Sequence, residues 1–418
     1  MFFKKMRCVA CGSEHSPEEK LYACPRGDGR LDIFYDYDEA ARHISRETLA
    51  QRRPWIWKYR ELLPVRDDTP QLTLGEGNTP LLPAPNLGKK LGLKEVYIKD
   101  ETRNPTASFK DRCMVVGVAK ALELGERIVA SASSGNAAAS LSAYAAKSGL
   151  KTYTFVPEDA PRAKIAQLIL LGATVIRVKS DEEGGDPTVR LLKAASKKYG
   201  WYPCPSFGPI NAYQAEGPKT IAFEAAEQFE WQSPDWVLAP VGSGGLLAGC
   251  WKGFFELQKL GLLDKLPRMA AVQSTGCAPV VKAFLERTDP HSIPTWPNPK
   301  TVAGGLADPY PWDGDAALKA LEQSRGEAVA VTDEQILEAQ TLLARTEGIF
   351  AEPSGVTALA GLAALHRKGV VSRDERVLLL ITGSGLKDTD IVLKRTETPP
   401  AIPCSIEALA KVIQSRGD

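Results

Sequence analysis

The chain has 418 residues, with 52 Lys and Arg against 51 Asp and Glu, for a net charge of +1. It is 44% hydrophobic and 25% charged, a globular balance with material for a large core and length for two or three domains. That charge leaves no electrostatic footprint for nucleic acid or an acidic membrane surface, no apolar run approaches a membrane span, and the opening "MFFKKMRCVACG" lacks the apolar core of a signal peptide. A cytoplasmic protein with no nucleic-acid or membrane partner is expected, and its eight cysteines are then thiols or ligands rather than disulfides.

Residues 1–35 differ in character from the rest. "CVAC" (Cys8, Cys11) and "CPRG" (from Cys24) resemble a small zinc ribbon in which Gly27 stands where a fourth cysteine would sit. Three thiolates make a poor closed zinc site. His15 or Asp28 could complete it, but the expectation is a degenerate knuckle without metal. Residues 36–75, with Trp55 and Trp57, read as a helical segment and linker.

From about Lys94 onward, short apolar runs alternate with amphipathic stretches. Residues 127–133 read as a strand and 137–149 as a helix closed by a glycine cap. Strand 151–157, helix 162–172, strand 174–180 and helix 188–200 follow. The pattern resumes with strand 236–242, helix 246–261 and strand 268–274. It closes with helices over 333–348 and 354–369 and a strand over 376–383. Such alternation implies parallel sheets covered by helices on both faces, arranged as two α/β lobes with ligands at the carboxyl ends of strands.

Four stretches fall where a strand or loop meets a helix. "NPTASFKDRCM" puts Lys110 at a helix start, where the dipole disfavours a cation, so an amine consumed in a covalent bond suits the place better than a free ammonium. "SASSGNAAAS" carries Ser133, Ser134, Gly135 and Asn136, and "LLLITGSGLKD" carries Thr382. In "APVGSGGLLAG", Gly242, Ser243, Gly244 and Gly245 form a glycine-rich turn whose backbone N–H groups and helix dipole suit a phosphate. Taken singly, each has a plainer use as a surface lysine, an N-cap, a turn or tight αβ packing.

In order and spacing the four resemble the fold type II, tryptophan-synthase-β-like pyridoxal-phosphate enzymes, and most closely the threonine synthase family. "LGEGNTPLL", "EGPKTIAFE", "WKGFFELQKLGLLDKLPRM" and "EGIFAEPSGVTALAGL" extend the likeness from about Gly75 to Asp390. The resemblance implies pyridoxal 5'-phosphate as cofactor and two lobes of twisted parallel sheet. The large α/β domain is then expected over 76–115 and 216–400, the small one over 116–215, and a C-terminal helix over 401–418. Lys110 matches the lysine that holds the cofactor as an imine and shuttles protons, and Asn136 the partner of its phenolic oxygen. Gly242, Ser243, Gly244, Gly245 and Leu246 match its phosphate loop, and Thr382 the hydroxyl facing its pyridine nitrogen. Thr106, Ser108, Ser133, Ser134, Gly135, Ala137, Asn211 and Gln214 are the candidate substrate contacts. The expected assembly is a homodimer acting on a small amino acid.

The chain also departs from that family's pattern. Ala107 and Cys113 replace glycines, Ser134 and Ala137 replace threonines, Pro209 and Gln214 replace a serine and an arginine, and Ser243 replaces an asparagine. The missing arginine and the threonine lost at Ala137 belong to the family's substrate-phosphate site. A pocket less adapted to phosphate is therefore expected unless Arg162 or Lys164 compensates. The resulting expectation is elimination or replacement at the β or γ carbon of an amino acid. A serine or threonine dehydratase, a β-replacement enzyme such as a cysteate synthase, and a non-catalytic pyridoxal-phosphate-binding paralogue are the alternatives.

Overall fold

Alternating side chains along a strand point to opposite faces of a sheet, so a strand apolar at every position must be covered on both sides. Trp236–Pro240 is such a strand, buried throughout. Its Trp236 and Leu238 join one apolar cluster and its Val237 and Ala239 the other. The structure, a computed structural model, describes residues 2–26, 29–181 and 183–416. In it this strand lies within a six-stranded sheet ordered Glu327–Val331, Arg268–Ser274, Trp236–Pro240, Arg376–Ile381, Glu95–Asp100 and Leu81–Pro83. All neighbours run parallel except the last pair. A second, four-stranded sheet is parallel throughout, in the order Thr174–Val178, Lys151–Pro157, Ile128–Ala132 and Tyr202–Pro203. The N-terminal segment folds as a three-stranded antiparallel ribbon, with Phe3–Cys8 between Glu14–His15 and Leu31–Tyr35. The predicted Gly27 and Asp28 positions of that knuckle lie outside the described residues.

The helices follow their start and stop signals. Asn136–Ser148 and Pro187–Tyr199 end on Gly149 and Gly200, both in the left-handed conformation that glycine adopts without penalty. Thr332 caps Asp333–Glu347 with a reciprocal Gln335 contact. Helix Lys110–Glu123 is buried from Asp111 through Ala121. Within it Arg112 is wholly buried and answered on every side. Its guanidinium donates to Glu101 (2.7 and 2.8 Å) and to Glu224 (2.7 and 2.7 Å). Lys99 also donates to Glu224, at 2.9 Å. Burial alone would raise the Glu224 pKa, but Arg112 and Lys99 hold the carboxyl well below its usual range. Glu224 ends the "EGPKTIAFE" block, and Lys219 of the same block pairs with Glu216 and Glu256 in the interior. That block is thus a buried scaffold of charge.

Residues 388–418 form a separate unit. It contains the helices Asp390–Leu393 and Ile406–Arg416. Among the described residues no helix is long and apolar enough to cross a membrane.

Candidate active site

A cavity of about 770 Å³ opens where the carboxyl ends of strands from both parallel sheets meet helix starts. Lys110, the first residue of its helix, lines this cavity, and its Nζ donates to Ser206 Oγ at 2.9 Å. Backbone pairing sets the lysine's position. Phe109 N donates to Thr382 O at 3.0 Å, Ser384 N to Ala107 O at 3.0 Å, and Ser108 bridges Gly383. The lysine segment is therefore fastened to the last strand's exit loop, which brings Thr382 into the same cavity. Ala107, in place of the family's glycine, holds φ at +61°. That left-handed geometry explains why the family pattern has glycine there. Ser206 is also left-handed, at φ +70°.

The residues after Lys110 serve the scaffold. Asp111 accepts from Thr106 N (2.7 Å), Thr106 Oγ1 (2.6 Å) and Ser140 Oγ (2.5 Å). Burial pushes its carboxyl up, and these hydrogen bonds oppose the shift. Arg112 holds the helix in the core. Cys113 touches the cavity, but burial pushes its thiol up to about 11, so it is no nucleophile at neutral pH.

The glycine turn opens a helix at the cavity wall. Gly244 caps helix Gly245–Lys259 at φ +115°, and a Cβ there would lie 2.6 Å from Asp313 O. Gly245 faces the Asp313 carboxylate, which a Cβ would meet at 3.1 Å. The first-turn N–H groups of a helix have no partners within it, and here Gly244, Gly245 and Leu246 line the cavity along with Gly242 and Ser243. On the facing wall Ser133, Ser134, Gly135, Asn136 and Ala137 start helix Asn136–Ser148. The Asn136 amide is held at both ends. Its Nδ2 donates to Glu352 Oε1 at 2.8 Å, and Lys387 Nζ donates to its Oδ1 at 2.8 Å.

Three of the expected substrate contacts are not part of the cavity wall. Ser108 is fully buried, with its Oγ unpartnered among the described residues. Asn211 braces a turn, giving Nδ2 to Pro203 O and taking the backbone N–H groups of Tyr213 and Gln214. Gln214 faces inward, with its Oε1 taken by Cys204 Sγ and its Nε2 by Phe207 O. The expected loss of phosphate binding at position 214 thus has no counterpart in the wall, because that side chain is occupied in the core. Thr106 lines the cavity, though its hydroxyl is already given to Asp111.

Sequence reasoning missed Lys387, Glu352, Asp308 and Asp313, all of which line the cavity. Lys387 sits in the quoted "GSGLKD", and its signal was passed over in favour of the preceding threonine. Lys164, named only as a possible compensation, lines the cavity as well. Burial lowers the Lys387 pKa and Lys164 lowers it further, while Glu352 and Asp111 act the other way. Burial raises Asp308 to about 7 and Asp313 to about 6.

Residues 72–383 match the family described as pyridoxal-phosphate dependent enzyme. The chain is 43% identical to a threonine synthase from Methanocaldococcus jannaschii, over 98% of this chain and 99% of that protein. It is 40% identical to a threonine synthase from Methanosarcina acetivorans, over 98% of each. The solved diaminopropionate ammonia lyase of Escherichia coli shares the fold at a TM-score of 0.65 and 21% identity, covering 78% of this chain and 88% of that one. A threonine deaminase from Solanum lycopersicum does so at 0.64 and 23%, covering 75% and 81%. Family match, near-full-length kinship and fold agree: the chain belongs to the pyridoxal-phosphate-dependent enzymes and, among them, to the threonine synthase family.

Proposed function

We propose that the protein converts O-phosphohomoserine and water into threonine and inorganic phosphate. The observation carrying this reading is that two cationic side chains, Lys164 and Lys387, line the same cavity as Lys110. Two cations lining one cavity favour an anion there. A phosphorylated amino acid supplies that anion and also a carboxylate, for which the start of helix Asn136–Ser148, with Ser133 and Ser134, offers N–H groups and hydroxyls.

The residues present fit pyridoxal phosphate. Gly244 leaves open a cradle that a side chain would fill, and the adjoining helix start would take the phosphate through the N–H groups of Gly244, Gly245 and Leu246. Lys110 is the attachment point, and Asn136, fixed by Glu352 and Lys387, is the partner for the ring oxygen. Thr382 would face the ring nitrogen with a hydroxyl, which could not fix a proton there as a carboxylate would. When bound, the cofactor supplies an electron sink for carbanion character in the amino acid attached to it. Lys110 Nζ then moves protons at the substrate carbons, with Ser206 Oγ as its hydrogen-bond partner. Lys387 and Lys164 hold the leaving phosphate. A cytoplasmic homodimer completes the reading, and light scattering on the purified enzyme tests the assembly.

Threonine and phosphate release from O-phosphohomoserine are measured beside keto-acid formation from serine and threonine. Saturable threonine formation is expected. Efficient dehydration without threonine formation would overturn the proposal. Lys387→Met should raise KM for the phosphorylated substrate roughly ten- to a hundredfold, the loss of one charged hydrogen-bond partner.

A further inference from the structure

The N-terminal ribbon carries a second cluster of chemistry, away from the cavity. The Sγ atoms of Cys8, Cys11 and Cys24 lie within 4.8 Å of one another. Cys11 and Cys24 stand 3.7 Å apart, and all three are free thiols. A disulfide would bring two sulfurs to about 2.05 Å. A metal held tetrahedrally by thiolates at about 2.3 Å instead spaces them by roughly 3.8 Å, the edge of the tetrahedron. The observed separation is that edge.

Local backbone geometry builds the spacing. Cys8 ends its strand, Gly12 turns the chain at φ +70°, and Gly12 N donates to Cys8 O at 3.0 Å. Cys11 N points at Cys8 Sγ, 3.5 Å away, which holds the two residues of the turn together. On the far side the chain passes so close that a Cβ at Gly29 would meet Cys8 Sγ at 2.4 Å. The site is therefore enclosed by backbone, with Cys8 and Cys24 buried and Cys11 at the rim.

The fourth corner is polar. Ser13 Oγ lies 3.0 Å from Cys11 Sγ and 3.7 Å from Cys24 Sγ, and His15 Nε2 lies 3.1 Å beyond it. His15 Nδ1 is 3.3 Å from Glu19 Oε2. With Nδ1–H donating to the carboxylate, Nε2 would be left with its lone pair toward Ser13 and the cysteines, the usual arrangement behind a metal-bound histidine. One hydroxyl separates that lone pair from the sulfurs.

We propose that Cys8, Cys11 and Cys24 bind one zinc ion as thiolates, with His15 Nε2 as fourth ligand in place of the Ser13 contact and Glu19 positioning the ring. Three sulfurs and one nitrogen close the coordination shell, so the ion is structural and has no part in the chemistry at Lys110. The sequence led to the expectation of a knuckle without metal, with His15 or Asp28 as the residues able to complete it; the proposal takes His15. Its consequence reaches Arg30, one residue past Gly29, which pairs with Asp315 at 2.5 Å and with Asp32 at 3.0 Å. The ion would thereby fix the ribbon's anchor on the body of the enzyme.

The test uses the full-length holoenzyme. Metal content is measured by mass spectrometry, then again after chelation and return of zinc alone, with cobalt(II) as spectroscopic probe. About one zinc per chain is expected, with thiolate-to-cobalt charge transfer and the strong ligand-field bands of a tetrahedral centre. Cys11→Ser, at the exposed rim, should lose the metal yet keep pyridoxal-phosphate absorbance, which separates a failed site from a failed fold. His15→Ala should alter the cobalt spectrum. Failure of chelated enzyme to take up zinc, with its thiols equally reactive toward a disulfide reagent with and without zinc, would overturn the site. An unchanged cobalt spectrum in His15→Ala, or metal loss in Asp28→Ala instead, would overturn the histidine assignment.

Discussion

Strand Trp236–Pro240, inside the six-stranded sheet, is buried at every residue, whereas Thr174–Val178, at the edge of the four-stranded sheet, is buried at none. The helices repeat the contrast. Pro353–Arg367 buries most of its length, while Arg162–Leu170, which carries Lys164, buries only Leu168 and leaves Leu170 88% exposed. Both sheets contribute to one cavity. The glycine turn and Thr382 belong to the densely packed side, and Lys164 to the lightly packed side. Packing density decides what can yield: a close-packed wall transmits any misfit, and a thinly packed one absorbs it. On the proposed reading the cofactor would take the fixed wall, and the substrate would meet a wall able to adjust.

The largest effect should come from the fixed wall. Lys110→Ala removes the amine and should cost turnover by roughly 10²–10⁴-fold or more, the range of a single acid–base group with covalent catalysis lost besides. Borohydride reduction of the wild type followed by peptide mapping should mark Lys110. Label on another lysine would break the assignment.

Gly244→Asp comes next. At φ +115° with Asp313 O only 2.6 Å from the new Cβ, the turn cannot keep its shape, and a carboxylate enters where a phosphate is to bind. Visible absorbance after desalting should show little retained cofactor. Full occupancy would mean that the phosphate sits elsewhere.

A smaller, pH-dependent effect is expected at Asp308, whose carboxyl is raised to about 7, chiefly by burial. A carboxyl raised in the folded state binds its proton more tightly there than in the unfolded chain. Its stabilising contribution is full below about pH 4, the unfolded value, and is lost as pH rises through about 7. Asp308→Asn should flatten that part of the stability curve, measured by thermal melts from acid to neutral pH. Parallel curves for the two proteins would contradict the raised carboxyl.

The smallest effect belongs to Ala107. Relieving its φ of +61° by Ala107→Gly recovers at most about 1–2 kcal/mol, partly offset by glycine's freedom in the unfolded chain. The melting temperature should rise by roughly 1–2 °C in a chain this long. A fall would mean that the methyl group packs more usefully than the strain costs.

The same contrast explains what could be read in the sequence. Strands 151–157 and 268–274 and the helices ended by Gly149 and Gly200 were legible because periodicity and caps are local signals. Glu327–Val331 was missed because "EAVAV" is too short to separate a buried strand from helix. That Lys110, Asn136, the glycine turn and Thr382 share one cavity was legible because each sits in a motif at an element boundary. Asn211 and Gln214 looked like substrate contacts because a motif specifies positions along the chain, and only the fold decides which way a side chain turns. Lys387 and Glu352 were the converse case, since their partnership through Asn136 joins segments far apart in sequence.

The pairing of Ser108 with Gly383, and of Phe109 N with Thr382 O, also bears on how the protein is made. Lys110 leaves a ribosome well before the strand exit that fixes its place. Contacts this distant carry a large loop-closure cost and form late. Nascent chains halted before Arg376–Ile381 emerges should therefore be unable to capture cofactor, however well their first half has folded. Cofactor uptake then reports passage of that strand, and an enzyme truncated before it would stay colourless.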